Sequence, residues 1–250
     1  MSHSDIEIKE GAFIIADAHY APLQREELFF LFEEIVSNKL HPTQIIFMGD
    51  IFDTLFGSIK QTQLQNQKFI ALVNKVASKI EIIYLEGNHD FNLQNIFPFV
   101  KVFPLQKQPI TAFYQEKKIL LSHGDFDGGI FYKMYSYMIR NSVVLSILSW
   151  INDTFSSFIL KKIDSYLAGK NRCKKLENFK DIIDKRMQDG YDCDYFIDGH
   201  FHQNKQYQYK TFIYINIGAF ACNQRYFIVK SSDSKELLEE KTFSKGMKYG

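Results

Sequence analysis

The chain is expected to fold as an α/β protein of two packed sheets flanked by helices, and three observations predict it. From Phe13 to Leu85, short apolar runs of strand length alternate with helix-period segments, the order of a βαβαβ unit with parallel strands and right-handed crossovers. Beyond Phe91 the apolar runs become short and turn-separated, which suits antiparallel or mixed pairing. With 250 residues, 46% of them hydrophobic, there is enough chain for one sizeable core, or one core plus a subdomain.

Taken in order, Phe13–Ala16 reads as the opening strand and runs into Asp17-Ala18-His19. Gln24–Ser37 carries Leu28, Phe29, Leu31, Phe32, Ile35 and Val36 at helical spacing, and His41-Pro42 ends it. Ile45–Met48 is a central strand, with Gly49 permitting a sharp turn that presents Asp50 at the strand's carboxyl end. Gln63–Ser78 predicts a second helix, with Phe69, Leu72, Val73 and Val76 on one face, and Ile82–Leu85 a third strand. Further strands are expected over Phe99–Phe103, Ile110–Tyr114, Lys118–Leu121, Tyr195–Ile197, Lys205–Tyr209, Phe212–Ile215 and Tyr226–Val229. A helical stretch of about 60 residues separates the third of these from the fourth. The domain reading is a core of 1–128 and 191–230, a helical insertion over 129–190, and a polar tail over 231–250 with Leu237-Leu238 as its apolar anchor.

The net charge of +1 provides no global field for a nucleic acid, so no nucleic-acid partner is expected. The charge is uneven, however: Gly129 to Lys175 carries a balance of +6, leaving −5 for the remainder. Cys173, Cys193 and Cys222 are odd in number and widely spaced, which predicts neither a disulfide framework nor a thiolate zinc site and points to a reducing cytoplasm. The polar start of the chain argues against a secretion signal. The most apolar segment, Val143–Leu160, is too interrupted by serines, Asn152 and Asp153 to span a bilayer.

The chemistry lies at the strand ends. Five of the seven histidines fall there, accompanied by Asp17, Asp50, Asp53, Asn88, Asp90 and Asp125. His and Asp are common in loops, and any one such motif means little. Five strands ending in imidazole, carboxylate or amide groups mean more, because independent loop residues have no reason to share that context. Such donors without thiolates suit a divalent first-row metal in a hydrolytic centre. The inventory exceeds the needs of one ion, so two metals sharing a carboxylate are expected, with Asp50 as the bridge.

Asp17-x-His19, Gly49-Asp50-x-x-Asp53, Gly87-Asn88-His89-Asp90, His123-Gly124-Asp125 and Gly199-His200-x-His202 together resemble the signature of the calcineurin-like metallophosphoesterase superfamily. The resemblance implies a four-layer αββα sandwich and two divalent ions, Mn²⁺ by family likeness. It also implies that Asp17, His19, Asp50 and His202 hold one ion while Asp50, Asn88, His123 and His200 hold the other. By the same resemblance His89 protonates the leaving group or steadies the phosphate, and Asp90 orients His89. Thr54 departs from the pattern, since many members have Arg there, but no ligand position is lost.

Within the superfamily, a helical insertion between the His-Gly-Asp and Gly-His-x-His motifs is similar to the branch that hydrolyses UDP-2,3-diacylglucosamine in lipid A synthesis. That branch commonly has Arg where this chain has His89. What the likeness implies is a lid over the site and an acylated nucleotide-sugar substrate, cleaved by metal-activated water to UMP and 2,3-diacylglucosamine 1-phosphate. A general metal-dependent phosphatase or phosphodiesterase is the alternative.

The insertion has its own pattern. Val144, Ile147, Leu148, Ile151, Phe155, Phe158 and Ile159 form an apolar stripe, with Val143, Leu145, Trp150 and Leu160 off it. Lys161, Lys162, Lys170, Asn171, Arg172, Lys174 and Lys175 follow closely. Apolar surface beside cations suits an acylated, phosphate-bearing substrate, with Ile147 and Ile151 against acyl chains and Lys170, Asn171, Lys174 and Lys175 near the diphosphate or uridine. The expected location is the cytoplasm, peripherally at the inner membrane face, with no obligate protein partner.

Overall fold

The structure, a computed structural model, describes residues 6–125, 130–154, 158–231, 234 and 236–245. In chain order come β1 (Ile6–Glu7), β2 (Phe13–Ile15), α1 (Glu27–Val36), β3 (Ile45–Phe47), β4 (Leu55–Phe56), α2 (Lys60–Gln65), α3 (Gln67–Ala77) and β5 (Ile82–Leu85). The expected helix over Gln63–Ser78 is thus two. Asn66 breaks it, because its side-chain amide donates to the carbonyls of Thr54 (2.9 Å) and Thr62 (2.8 Å). Next come β6 (Asp90–Phe91), β7 (Lys101–Phe103), β8 (Ile110–Tyr114) and β9 (Lys117–Ser122), then the helices α4 (Ile130–Arg140), α5 (Ser142–Thr154), α6 (Phe158–Ala168) and α7 (Phe179–Met187). The chain closes with β10 (Tyr195–Asp198), β11 (Lys205–Gln208), β12 (Ile213–Asn216), β13 (Arg225–Val229) and β14 (Leu238–Thr242).

The strands form two six-stranded sheets, ordered β14-β13-β2-β3-β5-β7 and β1-β8-β9-β10-β12-β11, with β4 and β6 a small parallel pair beside them. Register explains the layering. Phe13, Ile45 and Ile82 are paired across β2, β3 and β5, as are Ile14, Ile46 and Ile83. Since side chains alternate, the first set faces α1 and α3 and the second faces the other sheet. Both faces are covered, so these strands read as unbroken apolar runs. Between the sheets Ile14, Ile46, Met48, Ile83 and Leu85 meet Ala112, Ile119, Leu121 and Ile197. On the far side α7 lays Phe179, Ile183 and Met187 against Leu120, Phe196 and Tyr214. The layers are therefore αββα, as expected, with α7 inside the range assigned to the insertion but packed on the core.

The insertion proper is seated by a small apolar cluster in which Leu145 of α5 and Leu160 of α6 meet Ile59 and Phe91. Both seating residues lie off the predicted stripe. On the stripe, Ile147 (54%) and Leu148 (37%) remain exposed, as do Val143 and Trp150 beside it. Phe155 and the side chains of Phe158, Ile159 and Lys161 fall outside the described residues, as does Gly129 at the start of the insertion. Among the described residues no helix is long and apolar enough to cross a membrane.

Two expectations are corrected. The segment taken as a polar tail adds β14 antiparallel to β13 and buries Phe243. Its charged sequence, Leu238-Glu-Glu-Lys-Thr242, hid it, because an exposed edge strand needs little apolar content. Second, Cys173 and Cys222 form a disulfide with Cα atoms 5.8 Å apart, leaving Cys193 as a buried free thiol. Separated by 49 residues, the pair has no signature in spacing; the fold brings the exit of the insertion to the turn after β12. Cysteine usage accordingly gives no argument for a reducing compartment.

Candidate metal centre

The carboxyl ends of β2, β3, β5, β9 and β10 converge at one edge of the two packed sheets, and each delivers one predicted motif there. The backbone turns hard as it leaves them. Asp17, His19, Asp50, His200 and His202 all have left-handed φ, from 46° to 59°. That region costs a non-glycine residue roughly 1–3 kcal/mol, although Asp and His tolerate it better than most. Surrounding structure holds them there: Asp17, His19 and Asp50 are at most 2% exposed. Gly49, at φ 89°, passes so close to His123 that a Cβ would lie 2.4 Å from its Nδ1. At Gly87 a Cβ would lie 2.2 Å from Asp50 Oδ1 and 2.6 Å from the Asp50 main-chain nitrogen. Gly87 is required by that close approach.

Two groups of candidate ligands result, Asp17 with His19 and His202, and Asp50 with His123 and His200; in each, one donor atom per residue lies within 4.8 Å of the others. In the first, His202 Nε2 is 3.1 Å from Asp17 Oδ1. In the second, His123 Nε2 is 3.5 Å from Asp50 Oδ2, 3.3 Å from His200 Nδ1 and 3.4 Å from Asn88 Oδ1. The ring nitrogens facing away are anchored on main-chain carbonyls, His123 Nδ1 on Met48 (2.9 Å) and His202 Nδ1 on Arg172 (2.5 Å). Anchoring one nitrogen fixes which one is offered to a metal. All seven residues predicted as ligands therefore gather at one edge. A third group, His19, Asp53 and His89, adjoins the first.

Electrostatics fits cations at these positions. Burial disfavours charge on Asp50, yet His123 and His89 outweigh it and hold the carboxyl well below its usual range. Burial likewise opposes the charge on His123, and Asp50 overrides that, raising it well above its ordinary value. Burial drives His19 down to about 4, and burial with the neighbouring His123 does the same to His200, leaving both neutral. A cation bound among these carboxylates and imidazoles would displace the proton that Asp50 holds on His123, since only the deprotonated ring ligates a metal.

Asp90 departs from its expected role. Its carboxylate accepts from the main-chain N–H groups of Asp50 (3.0 Å), Ile51 (2.6 Å), Phe52 (3.1 Å) and Gly87 (3.0 Å) and from the Tyr84 hydroxyl (2.6 Å). Burial and nearby Asp50 push it up to about 7 against the pull of those donors, and with every donor aimed at it the ionised form is the one the geometry accommodates. Asp90 thus shapes the turn carrying Asp50. His89 is oriented instead by the Asp53 carbonyl, 2.8 Å from its Nδ1, which leaves Nε2 4.0 Å from Asp50 Oδ2.

Sequence reasoning missed Arg25 and Arg140, and placed Arg172 only in a basic cluster without its contact at the site. Arg25 Nη2 and Arg172 Nη2 flank Asp53, at 2.5 Å from Oδ2 and 2.7 Å from Oδ1. Thr54 was the signal: without an adjacent arginine, a buried Asp53 needs cations from elsewhere in the chain. Arg140 of α4 donates to the Gly87 carbonyl at 2.8 Å and lies over the Phe91 ring, tying the insertion to the Asn88 turn. Lys170, Asn171, Lys174 and Lys175, the expected substrate contacts, are all exposed in the exit loop, and Asn171 accepts from the Cys173 N–H at 3.1 Å.

A family model described as calcineurin-like phosphoesterase matches residues 12–204. The chain belongs to that family. It is a metal-dependent phosphoesterase, and the family works with two metal ions. Among curated relatives, the UDP-2,3-diacylglucosamine hydrolase of Yersinia pseudotuberculosis serotype O:1b is 23% identical over 201 residues, 77% of this chain and 82% of the relative. The enzyme of the same name from Yersinia pestis matches equally, at 23% over 201 residues. Solved structures with a similar fold include a dimetal phosphatase from Danio rerio (TM-score 0.47, 12% identity, covering 94% of this chain and all of that one). An archaeal phosphodiesterase is comparable (TM-score 0.46, 14% identity, 93% and 99% covered).

Proposed function

We propose that this phosphoesterase hydrolyses the pyrophosphate of UDP-2,3-diacylglucosamine, giving UMP and 2,3-diacylglucosamine 1-phosphate. The observation that carries the reading is the exposed apolar face of α5, with Ile147 at 54% and Leu148 at 37% exposure, on an insertion that is tied to the Asn88 turn through Arg140 and ends in a basic exit loop. Among the described stripe residues Ile147 and Leu148 stay exposed, and the contacts that seat the insertion come from Leu145 and Leu160 instead. Extracting an acyl chain of ten carbons from a bilayer gives up roughly 8 kcal/mol of burial, which a polar surface cannot replace. The relatives named for this substrate support the same choice.

In this reading Asp17, His19, Asp50 and His202 hold one Mn²⁺, and Asp50, Asn88, His123 and His200 the other. When bound, such a pair lowers the pKa of water from 15.7 toward roughly 7 and neutralises phosphate charge. The protein's own residues do the rest. His89, held by its Nδ1–H on the Asp53 carbonyl, presents Nε2 as the general acid for the leaving oxygen. Lys170, Asn171, Lys174 and Lys175 neutralise the diphosphate or meet the uridine, and Ile147 and Ile151 take the acyl chains. Peripheral contact with the inner membrane face follows from that substrate.

His89 itself favours a second reading, a general phosphodiesterase, because the lipid A branch commonly carries Arg there. Purified protein loaded with Mn²⁺ and given UDP-2,3-diacylglucosamine decides between them. UMP with the diacyl sugar 1-phosphate is the expected product pair, while intact substrate alongside rapid cleavage of a chromogenic diester leaves the general reading standing.

A further inference from the structure

We propose that Arg172 is a positioning residue that couples the exit loop of the helical insertion to one of the two metal positions, holding His202 and His19 in place beside Asp17. This rests on reading the centre as a metal site, and it concerns a residue outside the motifs that define that site.

Arg172 acts at two points at once. Its carbonyl receives the Nδ1–H of His202 at 2.5 Å, which commits Nε2 to the Asp17 side, 3.1 Å from Oδ1. Its guanidinium donates from Nη2 to Asp53 Oδ1 at 2.7 Å, and that same oxygen lies 3.3 Å from His19 Nδ1. Arg25 takes the other Asp53 oxygen and also donates from Nε to the His19 carbonyl at 2.8 Å. A single residue of the exit loop thus bears on two of the three side chains in the Asp17 group, and on none in the Asp50, His123 and His200 group.

The loop is held so that this arrangement persists. The Arg172 side chain is only 8% exposed, unlike its basic neighbours Lys170, Lys174 and Lys175. Its neighbour Cys173 is bonded to Cys222, in the turn where Ala221 N–H donates to the Asp17 carbonyl at 3.1 Å. Gln203, directly after His202, donates to the Lys174 carbonyl at 3.0 Å and accepts from the Leu176 N–H at 2.9 Å. The loop is therefore fastened to both flanks of the Asp17 group. Outer contacts that orient a metal-binding imidazole typically govern affinity by 10–100-fold. Arginine suits the task because its planar fork is pre-organised and always charged, which lysine only half reproduces.

The test is calorimetric titration of metal-stripped protein with Mn²⁺ alone, for wild type, Arg172→Ala, Arg172→Lys and Arg172→Gln. Wild type is expected to bind two equivalents. Arg172→Ala should weaken one of them by about 10–100-fold and leave the other unchanged, with partial rescue in Arg172→Lys. In ¹⁵N-edited NMR the His19 ring resonances should shift in the alanine variant, because Asp53 loses the guanidinium on the oxygen that faces His19, while those of His123 and His200 stay in place, a pattern that general destabilisation would not give. If Arg172→Ala does not fold, Arg172→Gln retains the stem and a hydrogen-bonding head and should show the same selective loss. Wild-type affinity for both equivalents in these variants, or equal weakening of the two, overturns the proposal while leaving the centre intact. A wild-type protein that binds no Mn²⁺ removes the metal reading itself, and the proposal with it.

Discussion

Asp50 is tied at every polar atom that the turn offers. It sits at left-handed φ, its main-chain N–H is taken by Asp90, its Oδ1 accepts the His89 N–H at 2.8 Å, and its Oδ2 faces His123. Replacing it with Asn removes one charge shared between the two candidate positions. Both metal equivalents should weaken together in Asp50→Asn and turnover should fall more than about 100-fold; loss of a single equivalent would show that it does not bridge. Gly87→Ala makes the complementary test without touching a donor. The new Cβ meets both a carboxylate oxygen and main-chain nitrogen of Asp50, which cannot swing aside, so a stability loss of about 1–3 kcal/mol should accompany weakened metal binding. His89 separates chemistry from ligation: His89→Ala should lower turnover by about 10²–10⁴-fold with metal content unchanged, and metal loss would make it a ligand. His89→Arg should improve cleavage of the diacyl sugar nucleotide if the substrate is the one proposed.

At the scale of elements, β2, β3 and β5 were legible because buried parallel strands are apolar on both faces, and their motifs followed directly. What escaped had weaker local signals. β14 is charged at an edge, α7 resembles any amphipathic helix until its partner sheet is known, and the Cys173–Cys222 pairing and the Arg25 and Arg172 contacts depend on where distant loops meet. Asp90 was misjudged because adjacency to His89 in sequence says nothing of direction in space. Helix α5 of the insertion yields a prediction of its own. Ile147→Lys with Ile151→Lys should cut kcat/KM for the lipid substrate at least about 10-fold, given roughly 1.5–3 kcal/mol per buried isoleucine, and spare a small chromogenic diester. Equal loss on both substrates would make that face structural. At the start of β5, Glu81 is bound by Lys101 (2.5 Å) and Lys9 (3.0 Å), and although burial opposes its charge, those partners with Gln44 bring it down to about 2. A depressed carboxyl stabilises the fold above its unfolded value near 4.5, and that contribution fades as pH falls through about 2. Glu81→Gln should therefore be less stable than wild type near neutrality by no more than about 1 kcal/mol per pair, with the gap closing toward pH 2 in urea titrations.

Across the whole molecule, two six-stranded sheets packed face to face bring five strand ends to one edge, and the resulting cluster of carboxylates and imidazoles can hold cations. The insertion, whose 129–175 stretch has a net balance of +6, attaches there through Leu145 and Leu160, Arg140 and Arg172. Metal dependence is the claim on which everything else stands, and one titration addresses it. Chelator-stripped protein is given Mn²⁺ in steps while hydrolysis of a chromogenic phosphodiester is followed. A dinuclear centre predicts no activity without metal and a rise that completes at two equivalents per chain. Undiminished hydrolysis in the presence of chelator, or full activity at a single equivalent, would contradict it.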